Sequence, residues 1–390
     1  MKKHLEKLLE IRDVSKRRDL LVRAGLAEEE IEELLERVHF LRKGKEKFPR
    51  AAKMRFSREG LAQASSKWVA EYRTLRIRER LGGVARILDV CAGIGGDTIA
   101  LATRWPVIAI ERDPETMAIL RHNLGVHGLE EKVQLIEGDI LQLLDDESAR
   151  AAWGQVDCIF FDPSRRAQGS RRIETELYAP PLSLLDRLRG LTPNVVAKIS
   201  PAVDLSSIEY DCDIEVISYK GSVKEITLWF GALQSAAGER RVRATKLPEK
   251  ITWTKKAESR KIGTRPPGAF LYEPDPAFIK AHLIQDLARH FQLELLDSRL
   301  AFLTSDVRID DPTLKRYRVC ESVEVSDREI ERRLQAHGIG RADFKARGIA
   351  VNLQTLQKRI RPQGRDRGLV ILTRVEGRKR ALLCRYDSRY

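Results

Sequence analysis

Short apolar runs alternate with segments of helical periodicity from residue 84 to about 233, the pattern of a doubly wound α/β sheet. Residues 87–89, 107–111, 133–139, 156–163 and 195–201 read as five strands, with Thr98-Ile-Ala-Leu-Ala102 as the helix after the first. Ile214–Ser218 and Glu225–Phe230 read as a late strand pair joined through Lys220-Gly221-Ser222, one of them antiparallel. Residues 1–80 read as helical. Ile31, Leu34, Leu35 and Val38 recur at helical spacing behind Glu28-Glu29-Glu30, acids that suit a helix N-terminus. Leu61, Ala64, Trp68, Tyr72 and Leu75 mark a second amphipathic helix.

Gly231 to Gly238 is the best linker, and the pattern changes beyond it. Tyr272–Ala277 precedes a helix carrying Ile279, Leu283, Leu287 and Phe291. Ser326-x-x-Glu329 matches a capping box opening a helix up to His337, and residues 368–374 and 381–386 read as a hairpin around Val375-Glu-Gly377. The expected organisation is an N-terminal helical region (1–80), an α/β core (81–235) and a C-terminal α+β domain (236–390).

Between the first strand and its helix stand Gly93, Gly95 and Gly96. Lacking a Cβ, they can take positive φ and leave room for a nucleoside against the turn, facing the next helix's N-terminus. The dinucleotide fingerprint needs a third small residue where Thr98 stands, so NAD or FAD is the weaker reading.

The run Asp89-x-x-x-Gly93-x-Gly95 resembles the first motif of the class I S-adenosylmethionine-dependent methyltransferases. That resemblance implies a Rossmann-like methyltransferase sheet and S-adenosyl-L-methionine as cofactor. It would be held by Asp89, Ala92, Gly93, Gly95, Gly96, Asp97, Thr98, Glu111, Arg112, Asp139, Ile140 and Asp162. In the family, the position of Glu111 accepts both ribose hydroxyls and that of Asp139 the adenine amino group. One acid at a strand end is often only a cap; the order and spacing of four carry the reading. Gln63-Ala-Ser65 resembles the stretch that closes over the cofactor in related enzymes, and it reads equally as part of a core-facing helix, the reading preferred here.

Asp162-Pro163-Ser164-Arg165-Arg166 is similar to the [Asn/Asp]-Pro-Pro-aromatic motif of amino-group methyltransferases, and the core is similar to the trimethylguanosine synthase group. The resemblance makes Asp162, Pro163 and Ser164 the catalytic segment, the acid and a following carbonyl orienting an acceptor nitrogen. Ser164 and Arg165 replace the second Pro and the aromatic, so the base-stacking platform is missing from the motif. Arg165 and Arg166 can stack on a base or grip a phosphate; on a surface loop they can equally neutralise carboxylates.

Charge changes the picture of the partner. Residues 1–80 hold 22 Lys and Arg against 14 Asp and Glu, residues 81–235 hold 15 against 23, and residues 236–390 hold 34 against 20. An acidic core between basic flanks suits capture of RNA, rRNA or tRNA being the candidates, by the flanks. The basic clusters are residues 43–55 and 359–367. The tail resembles the THUMP-like domain found behind such cores in bacterial RNA methyltransferases. Five scattered cysteines without a C-x-x-C pair indicate neither a disulfide framework nor a metal site. Without a membrane-length apolar run or a signal peptide, a cytoplasmic location is expected. Two other readings stay open: methylation of a protein or small molecule, and RNA binding without catalysis.

Overall fold

The computed structural model describes residues 7–82, 86–164, 166–167, 170–171, 174–235, 241–256 and 261–387. The chain divides into two compact units, Met1–Ile214 with Glu225–Arg240, and Glu215–Lys224 with Arg241–Tyr390.

The first unit opens with α1 (Val14–Arg23) and α2 (Glu28–Lys47), which bury Leu21, Ile31, Leu34 and Val38 in one cluster. The helix expected from Leu61 to Leu75 is two helices, α3 (Arg58–Gln63) and α4 (Lys67–Leu81), with extended backbone at Ala64 and Ser66 between them. Lys47 explains the break: its Nζ donates to the carbonyls of Leu61 at 2.7 Å and Ala64 at 2.7 Å, capping the end of α3. Trp68, assigned to the apolar stripe, is left 47% exposed.

Strands and helices then alternate: β1 (Ile87–Val90), α5 (Thr98–Ala102), β2 (Val107–Glu111), α6 (Pro114–His127), β3 (Val133–Glu137), α7 (Ile140–Asp145), α8 (Glu147–Trp153) and β4 (Cys158–Phe161). A two-residue ribbon follows, β5 (Arg166–Ala167) against β6 (Ser170–Arg171), then α9 (Leu184–Leu191), β7 (Val195–Ile199), β8 (Asp213–Tyr219) and β9 (Ser222–Trp229). Neighbours in this unit run in the order β9–β7–β4–β1–β2–β3, all parallel except β9, which opposes β7. β1, β4 and β7 are buried at every position, as expected of parallel strands covered on both faces. Ile77, Leu101, Trp105, Leu120, Phe160 and Trp229 belong to its main core. The order reverses between β1 and β4. Ligands of open α/β sheets bind beyond the carboxyl ends of the strands at such a switch point.

In the second unit β10 (Val242–Leu247) and β11 (Ile251–Thr254) form an antiparallel pair. After them come β12 (Phe270–Pro274), α10 (Pro276–Lys280), α11 (Ile284–His290), β13 (Glu294–Leu295), β14 (Leu303–Ser305), β15 (Leu314–Val323), α12 (Asp327–Ala336), β16 (Ile339–Ala346), α13 (Leu353–Arg359), β17 (Asp366–Val375) and β18 (Arg378–Tyr386). They build a seven-stranded sheet in the order β13–β14–β12–β15–β18–β17–β16, in which Ile330, Leu334 and Leu356 from α12 and α13 join a core cluster with Val370, Leu372 and Leu383. The single helix expected through Ile279 and Phe291 is broken at His282, whose φ of +57° ends α10 while Leu283 N–H bonds back to the Phe278 carbonyl at 2.9 Å. The capping box is not formed. Ser326 makes no side-chain cap, and Glu329 faces Arg332 at 2.7 Å and Arg333 at 2.9 Å. The terminal hairpin turns through Glu376-Gly377, both at positive φ. Among the described residues no helix is long and apolar enough to cross a membrane.

Candidate active site

β1 delivers the chain into the glycine turn. Cys91 and Gly93 have φ of +65° and +57°, and Gly95 has +95°. Gly96 does not take the positive φ open to it; it is needed for close approach instead. A Cβ there would stand 3.1 Å from both the N and the O of Ser65, backbone atoms with no flexible end to yield. At Gly93 the same construction meets nothing within 4 Å, so that face of the turn is open. Asn123 fixes the turn from behind, donating to the Ile94 carbonyl at 3.0 Å and accepting from Arg55 N–H at 2.9 Å.

The turn forms one wall of a cleft of about 630 Å³ at the switch point. The four expected strand-end acids meet there: Asp89, Glu111, Asp139 and Asp162 all line it, as do Ala92, Gly93, Gly96, Asp97, Arg112, Ile140 and Ser164. Gly95, Thr98 and Pro163 are not among its lining residues: Gly95 faces Leu120, Thr98 is fully buried and Pro163 is buried. Arg165 and the side chain of Arg166 lie outside the described residues.

Each acid has a distinct environment. Glu111 accepts three backbone N–H groups, from Gly93 at 2.9 Å, Arg112 at 3.0 Å and Asp113 at 3.1 Å. Asp139 caps α7, accepting from Leu141 N–H at 2.9 Å. Asp89 is buried and accepts from the Thr98 hydroxyl at 2.5 Å; burial pushes its carboxyl up to about 8, the Thr98 bond opposing. Burial works against the Asp97 carboxylate too, yet Arg73 and then Lys198 hold it below its ordinary value. Burial, followed by the charges of Glu111, Asp162 and Asp89, pushes the Cys91 thiol well up, against a nucleophilic role.

Several residues at this site escape sequence reasoning. Ser57 to Gly60 and Gln63 to Ser65 line the cleft, so the Gln63-Ala-Ser65 stretch is part of the site and not an ordinary core-facing helix. Ser164 Oγ donates to Gln63 Oε1 at 3.4 Å, and its backbone exchanges two hydrogen bonds with Ala179, placing Tyr178 to Pro181 on the cleft wall. Tyr178 and Phe160 reach the cleft wall but are almost fully buried, so they do not replace the stacking platform that the motif lacks. Arg73, buried in α4, pairs with Asp97 and Glu225 and donates to Ser65 Oγ at 2.8 Å. Lys198 of β7 pairs with Asp162 at 2.5 Å. A lysine inside the apolar run Val195–Ile199 was the visible signal for it.

The basic flanks divide. In the first cluster Lys47 caps α3, as above, and Arg50 donates to the Val126 carbonyl at 2.8 Å. In the second, Arg359 pairs with Asp327 at 3.4 Å and Arg367 with Asp343 at 2.8 Å, while Arg361 and Arg365 are exposed.

Residues 84–170 match the family model of RNA cap guanine-N2 methyltransferases, and residues 314–386 match that of THUMP domain-like segments. An uncharacterized S-adenosylmethionine-dependent methyltransferase of Mycobacterium tuberculosis is 31% identical over 327 residues, 82% of this chain and 84% of the relative. The trimethylguanosine synthase of Schizosaccharomyces pombe is 45% identical over 78 residues, 20% of this chain and 32% of the synthase. A crystal structure of a proposed methyltransferase from Porphyromonas gingivalis W83 shares the fold with a TM-score of 0.73 at 21% identity, covering 93% of this chain and 92% of that one.

Proposed function

The chain belongs to the S-adenosylmethionine-dependent methyltransferases, and from that premise we propose that it methylates RNA on a base nitrogen, an exocyclic amine. The residues present fit the cofactor. The cleft volume is in the range of small-molecule sites. Gly93 leaves its face open, and Glu111, aimed by three N–H groups, offers carboxylate oxygens to a cis-diol. Asp139 would accept from an adenine amino group and Asp89 would meet a cationic one, both from the same cleft. When bound, the cofactor supplies a methyl group on a sulfonium, already an able leaving group.

What the protein adds is positioning. The nitrogen lone pair forms the new N–C bond as the S–C bond breaks; its electron pair stays on sulfur, and the methylated nitrogen sheds a proton. Asp162 is the observation that carries the reading. It directly follows β4 at the switch point with its side chain 21% exposed, in the same cleft as Glu111 and Asp139. A carboxylate there accepts an N–H and aims the lone pair along the line of transfer. Support for RNA comes from the basic flanks and from the family description of the matched segments.

Transfer of labelled methyl from the cofactor into total RNA, total protein and small-molecule extract tests the proposal. Label in RNA that mass spectrometry assigns to an N-methylated nucleoside is the expected result. Label confined to protein or small molecules overturns it.

A further inference from the structure

Lys198 is a buried basic side chain beside this cleft. Every position of β7 is buried and Lys198 is 3% exposed, so its amine sits where an unpaired charge is strongly disfavoured. The sheet supplies the partner. The register that sets Phe161 beside Ala197 brings Asp162 level with Lys198, and Nζ reaches Asp162 Oδ2 at 2.5 Å. A second bond, to Ser65 Oγ at 3.2 Å, anchors Nζ as well. Ser65 in turn accepts from Arg73, which Asp97 and Glu225 fix. Among the described residues Asp162 Oδ1 has no hydrogen-bond partner. Lys198 itself does not line the cleft.

We propose that Lys198 is a positioning residue for methyl transfer: by occupying Oδ2 it locks the Asp162 carboxylate in one rotation and leaves Oδ1 as the single acceptor for the substrate N–H. This rests on the role given to Asp162 above. A carboxylate with two equivalent oxygens can rotate and hold the amine in several orientations; one pinned from behind cannot. A lysine suits the task because its point charge carries several donors, enough for Ser65 and Asp162 together. In the break between α3 and α4, Ser65 meets both Gly96 and Lys198.

Full-length wild type, K198M, D162N and K198M/D162N are compared with labelled S-adenosylmethionine and total RNA, protein and small-molecule extracts. K198M should lower kcat by about 10- to 100-fold, the scale of lost positioning, with S-adenosylhomocysteine affinity unchanged. The double variant should be no slower than D162N, because Lys198 acts through Asp162. Additive losses, or wild-type turnover in K198M, overturn the proposal. Should K198M fail to melt cooperatively, S65A, which removes the second anchor of Lys198 together with the Arg73 bond to Ser65, enters the same cycle. If no extract accepts methyl, or D162N is as active as wild type, the role given to Asp162 fails instead. Carboxyl carbon NMR of aspartate-labelled chain with S-adenosylhomocysteine then still decides the point. The resonance missing from D162N must move in K198M, and one that stays in place refutes the pairing.

Discussion

Gly93 N–H donates to Glu111 Oε2 at 2.9 Å, tying the glycine turn after β1 to the acid that ends β2. One carboxylate thus shapes the wall of the cleft and faces its interior. Its other oxygen is taken by the Arg112 and Asp113 N–H groups, so the side chain cannot swing away.

Glu111→Ala therefore removes a turn tether and a diol acceptor together. The expected loss of S-adenosylhomocysteine affinity is about 1–3 kcal/mol, the cost of leaving buried partners unsatisfied. Calorimetric titration checks it, and an unchanged dissociation constant would remove Glu111 from the site.

The turn glycines separate binding from stability. Gly93→Ala adds a methyl group to an open face at a φ of +57°, which costs about 1–2 kcal/mol of strain but leaves the packing intact. It should fold and bind cofactor poorly. Gly96→Ala drives a methyl group into the Ser65 backbone, an overpacking expected to cost about 1–3 kcal/mol and to displace the contacts that Ser65 makes with Arg73 and Lys198. Denaturant melts and calorimetry on both variants give the contrast; equal binding by Gly93→Ala and wild type contradicts it.

The sheet was legible because its strands are mostly apolar runs, and the four acids because each stands at or near the carboxyl end of one. Lys198 and Arg73 were not. In the sequence Lys198 is one polar letter inside a strand, and Arg73 sits within an amphipathic helix whose polar face carries many arginines; only the register and the packing bring them to Asp162 and Asp97. The break at Ala64–Ser66 was hidden too, since Lys47, far earlier in the chain, caps it. β10 and β11 follow a linker-like run and escaped notice, because alternation such as Val242-Arg-Ala-Thr-Lys-Leu247 is short and polar. Ser326 fitted a cap motif, yet Glu329 found two arginines closer at hand.

Asp89 gives the protein a pH dependence of definite sign. Its carboxyl rises from 3.8 to about 8 on folding, so between those values the folded chain holds a proton that the unfolded chain has released. Stability of the ligand-free protein should fall as pH climbs through that window. Cofactor affinity should move the other way from pH 6 to 8, by up to about tenfold per unit, because the ionised carboxylate is the form that attracts an ammonium group. D89N should flatten both profiles, and Thr98→Val, which removes the opposing bond, should shift the binding limb to higher pH. A wild-type affinity that stays level over this range would argue that Asp89 does not meet the cofactor's charge.

RNA capture by the second unit should depend on the arginines that have no acidic partner among the described residues. Arg359 and Arg367 are paired with Asp327 and Asp343, whereas Arg361 is exposed and, among the described residues, bonds only to the Lys358 carbonyl, at 3.2 Å, and Arg365 is exposed. Two phosphate contacts on single-stranded RNA contribute about 1.4 to the slope of log affinity against log salt, at roughly 0.7 each. R361A/R365A in the full chain should lower the slope by that amount and leave S-adenosylhomocysteine binding untouched. R359A/R367A should change the slope less, since those charges are already engaged by carboxylates. Titrations of total RNA between low and physiological salt measure both, and a slope that R361A/R365A leaves unaltered would move the RNA path away from this cluster.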